Sequence, residues 1–463
     1  MNPELRRNLW LQFSLTRLLL APVAVGALLT LTWVVSDRSL AAVGEVARAI
    51  YYLLVVLWGT RRAADLVAEE IAGGTWDDQR MSALGAWQMS WGKLFGGTSY
   101  VWYAAGLAFL ALAGCYWAAG TPPWQSGEAI QLLRLLGTGA LAQAVAMLVS
   151  LALLRRLAIR RRLGVSLSQV AGILAGLLAS GQLDGGIVAL FLPEVAWYSR
   201  VWDGELFSLA TLGVFLAWSV FGIYRLMRVE LKFQSGPWAW LAFALFLMAY
   251  CDGFLYGSIR LAGGDLGAWL ILPFLLVSAL TYLALFLEPK DVVRYRWLGA
   301  DLAAGELRHA WVLLPQWLPV YLLTFVCAIV LCLSPDLGSA GLRLLSGPFV
   351  SVEALQHAQG LFLYPLAITI YLLRDVLVVL FFNFGHGGRR GDATAFIILF
   401  LAYFPLTGIL VSLEMVSLIP ILAPYPLAAP LFNFAAALVE CAALAVLVYR
   451  RLALAGRFAP VIA

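Results

Sequence analysis

The 463-residue chain is short of charge. Asp, Glu, Lys and Arg make up 12% of it, against 62% hydrophobic residues and a mean hydropathy of +0.88. An ordinary soluble domain is about 25% charged, so a soluble globular fold is excluded. The chain also lacks any G-x-x-x-x-G-K-[ST] run, so it has no P-loop to cradle ATP phosphates. Its three histidines, His309, His357 and His386, are scattered and form no H-E-x-x-H pattern. Its five cysteines, Cys115, Cys251, Cys327, Cys332 and Cys441, fall in or at the ends of apolar runs, with no metal or redox spacing. No paired carboxylates, metal ligands or nucleophile with a base stand out, so neither a catalytic residue nor a bound cofactor or metal is expected in this chain. A cleavable signal pattern is absent too. The net charge of +5 is spread over short loops, not gathered on one basic face, which argues against nucleic acid as a partner.

What is present is apolar length. A membrane-crossing helix needs about 20 predominantly apolar residues. Twelve runs qualify: 18–35, 48–66, 92–118, 131–154, 164–181, 206–226, 237–256, 267–287, 311–333, 361–382, 394–413 and 431–449. The 25 Phe, 18 Trp and 17 Tyr often lie near their ends, as interfacial belts do. The expected fold class is therefore all-α, a polytopic protein of the lipid bilayer. The first residues, MNPELRRNLWLQFSLTR, should form an amphipathic helix on the membrane surface. With both termini placed in the cytoplasm, alternate loops collect most of the 31 Lys and Arg, including Arg61, Arg62, Arg155–Arg162, Arg225, Arg228, Arg389 and Arg390. The opposite loops carry acids such as Asp184, Glu194, Asp203, Glu205, Asp265 and Glu353. This is the positive-inside asymmetry, and a wrong span count would break it.

The two halves share polar punctuation at an offset near 220 residues. A charged inner loop follows span 2 at Glu69 and Glu70, and span 8 at Glu288. Basic segments follow spans 4 and 10, and Pro- and aromatic-rich outer segments (190–202 and 418–430) follow spans 5 and 11. Six spans per half make this a parallel duplication, with expected units 1–232 and 233–463.

One stretch breaks the apolar pattern: VAEEIAGGTWDDQRMSALGAWQMSWGKLFGG, Val67 to Gly97. Gly73-Gly74 interrupts the preceding helix. Thr75 begins a capping-box-like T-W-D-D, its hydroxyl placed to accept from the Asp78 backbone N–H, with Asp77 and Asp78 at the positive helix end. A short helix is expected from Trp76 to Leu84, stopped by Gly85. A second should run from Trp87 into span 3, with Lys93 near its start at the interface.

This stretch resembles the inner-loop signature of type-2 ABC export permeases, E-x-x-x-G-T-x-x-x-L followed by G-K. Glu70, Gly74, Thr75, Leu84 and Gly92-Lys93 stand at the matching places; Ala86 stands where the family often has Pro. The six-span plan and the amphipathic start match as well. The resemblance implies a coupling helix that docks in a separate P-loop ATP-binding subunit, here two copies, which would hold the ATP and Mg. The implied role is the transmembrane permease of an exporter, with no hydrolysis of its own, multi-pass in a bacterial plasma membrane. The implied coupling residues are Glu69, Glu70, Gly74, Thr75, Trp76, Asp77, Asp78 and Lys93. The second copy, 286–314, keeps Glu288 and the basic Arg294 and Arg296 but loses G-T and G-K, so asymmetric docking is expected. There Asp301 could cap a short helix and Gly305 break it.

Arg374-Asp375 inside span 10 and Glu440 inside span 12 are charges at membrane depth, hence candidates for the substrate path. An ion pair holding the bundle is the simpler role for Arg374-Asp375. Arg134 is weighed in the same way, while Gln143 and Asn433 read as interhelical hydrogen bonders. By the resemblance, segments 182–205 and 414–430 hold short re-entrant helices; aromatic-anchored loops are the alternative. The competing function is a twelve-span secondary transporter driven by an ion gradient. Against it stand the missing G-x-x-x-D-R-x-G-R-R-like loop after span 2, the missing long central loop, and few intramembrane acids.

Overall fold

The computed structural model describes residues 2–124, 126–153, 161–181, 194–233, 235–261, 266–333, 363–385 and 390–455. Asp184, Pro193, Asp265, Glu353, His357, His386, Arg389, Arg457 and most of the basic run 155–162 lie outside them.

The chain is an all-α, multi-pass membrane protein. Among the described residues eleven helices are long and apolar enough to cross a bilayer, or twelve if one sharply bent pair counts as a single span. Most of them leave the larger share of the span window unburied, the exceptions being Gly127–Leu153 and Tyr364–Asn383. On the helix Leu15–Val35 only 11% of the span window is buried, and Leu19, Val23, Leu31 and Val34 are all more than half exposed. In water that band would be unstable; in lipid it is the solvent-matched surface.

By internal contacts the chain forms two compact units, Met1–Val195 with Val201–Ser235, and Ala196–Arg200 with Gly236–Ala463.

In the first unit, α1 (Pro3–Gln12) starts from Asn2, whose side chain accepts from the Glu4 N–H. Span α2 (Leu15–Val35) is capped in the same way by Ser14. The next span is built from α3 (Leu40–Tyr52), a π turn (Leu53–Trp58) and α4 (Gly59–Ala72). A π turn frees a carbonyl from the i−4 ladder. Gln143 Nε2 donates to Val55 O at 3.1 Å, and Trp102 Nε1 donates to Gln143 Oε1 at 2.9 Å. Gln143 is thus an interhelical hydrogen bonder. The 33 residues of α3 to α4 reach about 50 Å, some 20 Å beyond the hydrocarbon core. The surplus is the charged end from Arg61 to Glu70, outside the spanning part.

The segment after α4 supplies α5 (Trp76–Arg80) and α6 (Ala86–Gly97). Span α7 (Ser99–Ala118) follows a break at Thr98, so the expected single run 92–118 is two helices. Spans α8 (Ser126–Leu153), α9 (Arg161–Ala179) and α10 (Gly204–Glu230) complete the unit. Arg134 donates to Ser180 O at 2.5 Å and reaches Glu205 at 3.5 Å, a bracing role within the unit. Of the segment 182–205, the described part is a hairpin, β1 (Glu194–Trp197) and β2 (Arg200–Asp203), and not re-entrant helix.

The second unit comprises α11 (Trp238–Leu261), α12 (Leu266–Leu287), α13 (Val292–Ala304), α14 (Leu307–Leu313), α15 (Trp317–Leu333), α16 (Tyr364–Asn383), α17 (Gly391–Leu401), a π turn (Ala402–Leu406), α18 (Thr407–Ser412) and α19 (Pro430–Ala455). The expected span 311–333 is bent by 95° between α14 and α15. Pro315 sits in the break, where it supplies no N–H and disfavours helix at Leu314. Segment 414–430 holds a 3-10 helix, Val416–Ile421. Asn433 bonds both the N–H and the carbonyl of Tyr425, so it locks the chain entering its own helix and does not bridge two spans.

Candidate functional site: the loop after helix α4

Helix α4 ends in a Schellman motif. Gly74 has φ +71°, a left-handed conformation that suits glycine. The Gly74 N–H donates to Ile71 O at 3.2 Å, and the Thr75 N–H donates to Glu70 O at 3.0 Å. The Thr75 hydroxyl also donates to Glu70 O, at 3.3 Å. This corrects the expected cap: Thr75 makes no side-chain bond to the start of α5, because its hydroxyl is turned back on α4. The E-x-x-x-G-T spacing therefore has a physical cause. Glu70 presents the carbonyl, and Gly74 and Thr75 are the two residues that close the turn around it.

The Glu70 carboxylate does a second job. It accepts from both Lys93 and Arg7. Lys93 is 1% exposed. Its remaining donors go to Glu4 Oε1 at 3.0 Å and Gln79 Oε1 at 2.7 Å. Glu4, itself 2% exposed, also accepts from Arg7 at 2.9 Å and from Asn8 at 3.1 Å. Two cations and two carboxylates balance, and all three ammonium protons have acceptors, which is the condition for tolerating buried charge. Trp76 lies under the ammonium at 5.4 Å. Burial alone would push the Glu70 carboxyl up; Lys93, Gln79 and Arg7 outweigh it and hold the group below its usual value. The node joins α1, α4, α5 and α6.

Glycine makes room for it. A Cβ on Gly92 would lie 2.7 Å from Glu4 Cβ, and one on Gly96 would lie 2.7 Å from Asn8 Cβ. The Gly92-Gly96 face of α6 is the seat of α1. The polar face of α1 (Glu4, Asn8, Gln12) is buried against protein, whereas Trp10 and Leu11 are 80% and 67% exposed. Helix α1 thus turns Trp10 and Leu11 outward and its polar face inward.

Helix α5 is shorter than expected, Trp76–Arg80, and Gly85 starts the next helix instead of stopping this one. The Gly85 N–H donates to Gln88 Oε1 at 3.2 Å. Trp76 is buried in a cluster with Met89, Met147 and Met227, which joins the loop to α4, α8 and α10. Arg80 bonds the Glu230 carbonyl at the end of α10 at 3.1 Å. Glu69 pairs with Arg62 at 2.8 Å along α4. Asp77, Asp78 and Met81 are left exposed; Asp77 shares Arg80 at 3.0 Å. Of the sequence-marked residues, Glu70, Gly74, Thr75, Trp76 and Lys93 are scaffold, and the free outer face belongs to Asp77 and Asp78. Glu4, Arg7, Asn8 and Gln79 escaped sequence reasoning. Their one signal was the i, i+3, i+4 spacing of Glu4, Arg7 and Asn8.

The corresponding loop of the second unit has a different construction. Glu288, buried, accepts from Arg294 at 2.7 Å and from the Gln316 N–H at 2.6 Å. Burial pushes its carboxyl up, and these donors offset only part of that. Arg294 also donates to the Leu313 and Leu314 carbonyls at 3.0 and 2.8 Å, closing the bend before α15. Asp291, not Asp301, caps α13; Asp301 lies near the end of that helix and pairs with His309 at 2.5 Å. Gly305, with φ +77°, ends α13. Arg296 and Arg308 are exposed.

At membrane depth in the second unit, Arg374 and Asp375 pair at 2.8 Å, and Arg374 reaches Glu440 at 3.1 Å. The structure thus brings the three predicted residues together.

Comparison of the chain with protein-family models, with curated proteins and with solved structures finds no match.

Proposed function

We propose that the chain is the transmembrane permease of an ATP-driven exporter of the type-2 ABC kind. In this reading both termini are cytoplasmic, the two units are a parallel duplication, and the protein sits in a bacterial plasma membrane. A separate P-loop ATPase, in two copies, holds ATP and Mg and docks on α5. One observation carries the reading. Helix α5 is pinned to the spans by Trp76 and Arg80 and to the Lys93 node through Gln79, yet leaves Asp77, Asp78 and the following Met81 exposed. A rigid peg of that kind can pass a partner's movement to α4, α8 and α10. The second unit's loop exposes Arg296 and Arg308 alongside Asp291 and Glu306, a mixed charge pattern unlike the Asp77-Asp78 face, which fits unequal docking. Arg294 belongs to the fold of its loop, so reversing its charge would test stability and not docking.

The experiment is charge reversal. The chain is co-expressed with P-loop ATPases encoded beside it and purified. Asp77→Lys with Asp78→Lys should leave the permease monodisperse and lower ATPase recovery at least tenfold, a loss of about 1.4 kcal/mol in binding. Arg296→Glu should have the smaller effect. A lone chain that transports under a pH or sodium gradient would favour the secondary-transporter reading instead.

A further inference from the structure

The three charged groups at membrane depth do not balance. All five N–H groups of Arg374 are placed. Nε and Nη2 donate to Asp375 Oδ1 at 3.0 and 2.8 Å, and Nη2 also donates to the Tyr403 hydroxyl at 3.1 Å. Nη1 donates to Leu422 O at 2.9 Å and to Glu440 Oε2 at 3.1 Å. Asp375, with no exposed surface, fills its other oxygen with the Tyr282 and Tyr403 hydroxyls at 2.5 and 2.8 Å. Arg374 and Asp375 are therefore a closed, neutral pair. Glu440 is the surplus carboxylate. It lies nine residues into the span Leu431–Leu454, about 14 Å along it. Among the described residues its Oε1 has no hydrogen-bond partner, and its side chain is 28% exposed. The contrast with the Lys93 node, where two cations meet two carboxylates, is direct.

An uncompensated carboxylate at this depth is costly, and such groups neutralise by taking up a proton. The groups facing Glu440 cannot supply the missing charge. Arg374 and Asp375 on α16 cancel, and Tyr371, Tyr403 and the neighbouring Cys441 are neutral at physiological pH. With its side chain 28% exposed, Glu440 is not sealed inside the bundle as Asp375 is. We propose that Glu440 is a reversible proton-binding site at membrane depth, with Arg374 as its switchable partner. When the proton leaves, the Glu440 carboxylate competes with Asp375 for the guanidinium; when it returns, Arg374 goes back to Asp375 alone. The site is independent of whether an ATPase drives the protein.

The test is infrared difference spectroscopy on the full chain in lipid nanodiscs, cycled between about pH 5 and pH 9. The expected result is a carboxylic-acid carbonyl band that disappears reversibly as pH rises and is missing in Glu440→Gln, an isosteric change that keeps the bond to Arg374. In Asp375→Asn, Arg374 is released to neutralise Glu440, so the band should be absent throughout; gel filtration confirms that both variants are folded. Carboxyls elsewhere, such as the buried Glu288, contribute equally to both chains, so the absence of any titrating carbonyl band in the native-minus-Glu440→Gln difference overturns the proposal. So does a Glu440 signal that stays protonated or stays ionised at every pH, and so does retention in folded Asp375→Asn of the same titrating band that Glu440→Gln removes.

Discussion

Replacing Lys93 with methionine is expected to destabilise the inner end of the first unit by about 3–5 kcal/mol, because removing one member of a buried ion pair strands the other. Here two carboxylates are stranded, Glu4 and Glu70, with only Arg7 to share. Helix α1 contributes Glu4 and Arg7 to this node, so its seat on α6 should loosen first. Hydrogen exchange in Pro3–Gln12 and in Trp76–Arg80 should rise together, while α8 stays protected. Gly92→Leu should free α1 by the other route, since even a Cβ there meets Glu4 and the Leu5 backbone. The decisive comparison is Lys93→Met with Glu4→Gln. That pair leaves Arg7 and Glu70 balanced, so the double variant should be more stable than Lys93→Met alone. If the two losses simply add, the node is not the electrostatic unit described.

Arg374→Leu should have the other large effect, again about 3–5 kcal/mol, read as a fall in the thermal midpoint of the solubilised chain. The change leaves Asp375 buried without its cation and Glu440 without its donor. It also removes the guanidinium that ties α16 to Leu422 and to the Tyr403 π turn. Adding Asp375→Asn should recover much of the loss, since an amide can keep the Tyr282 and Tyr403 hydroxyl bonds without the charge. Equal stability of Arg374→Leu and the native chain would mean that the pair is bridged by something other than these contacts.

Much of this was legible in advance, and the parts that were not have identifiable causes. Span positions follow from apolar length alone, since lipid demands whole helices and leaves their composition uninterrupted. The bend at Pro315 was hidden for the same reason: the run 311–333 stays apolar through it, and hydropathy does not register direction. The signature around Glu70 could be recognised as a pattern, but its purpose could not. Glu70 and Lys93 meet across 23 residues, and Glu4 and Lys93 across 89; nothing in local spacing links them. Thr75 misled because a Thr before two acids suits a cap, whereas the glycine before it had already committed its backbone and hydroxyl to Glu70. Arg374 and Asp375 announced themselves as charges in a span, yet their balance against Glu440 depends on helices sixty-six residues apart in sequence.

Under the proposed function, α5 is where an ATP-binding partner touches this chain. The most direct measurement places a photo-crosslinking residue at position 78, and another at buried position 89 as a control, in chains made with their neighbouring P-loop ATPases. The account predicts a crosslink from position 78 to an ATPase that changes with nucleotide, and none from position 89. No ATPase adduct from position 78, in a chain whose neighbours were present and folded, would contradict it.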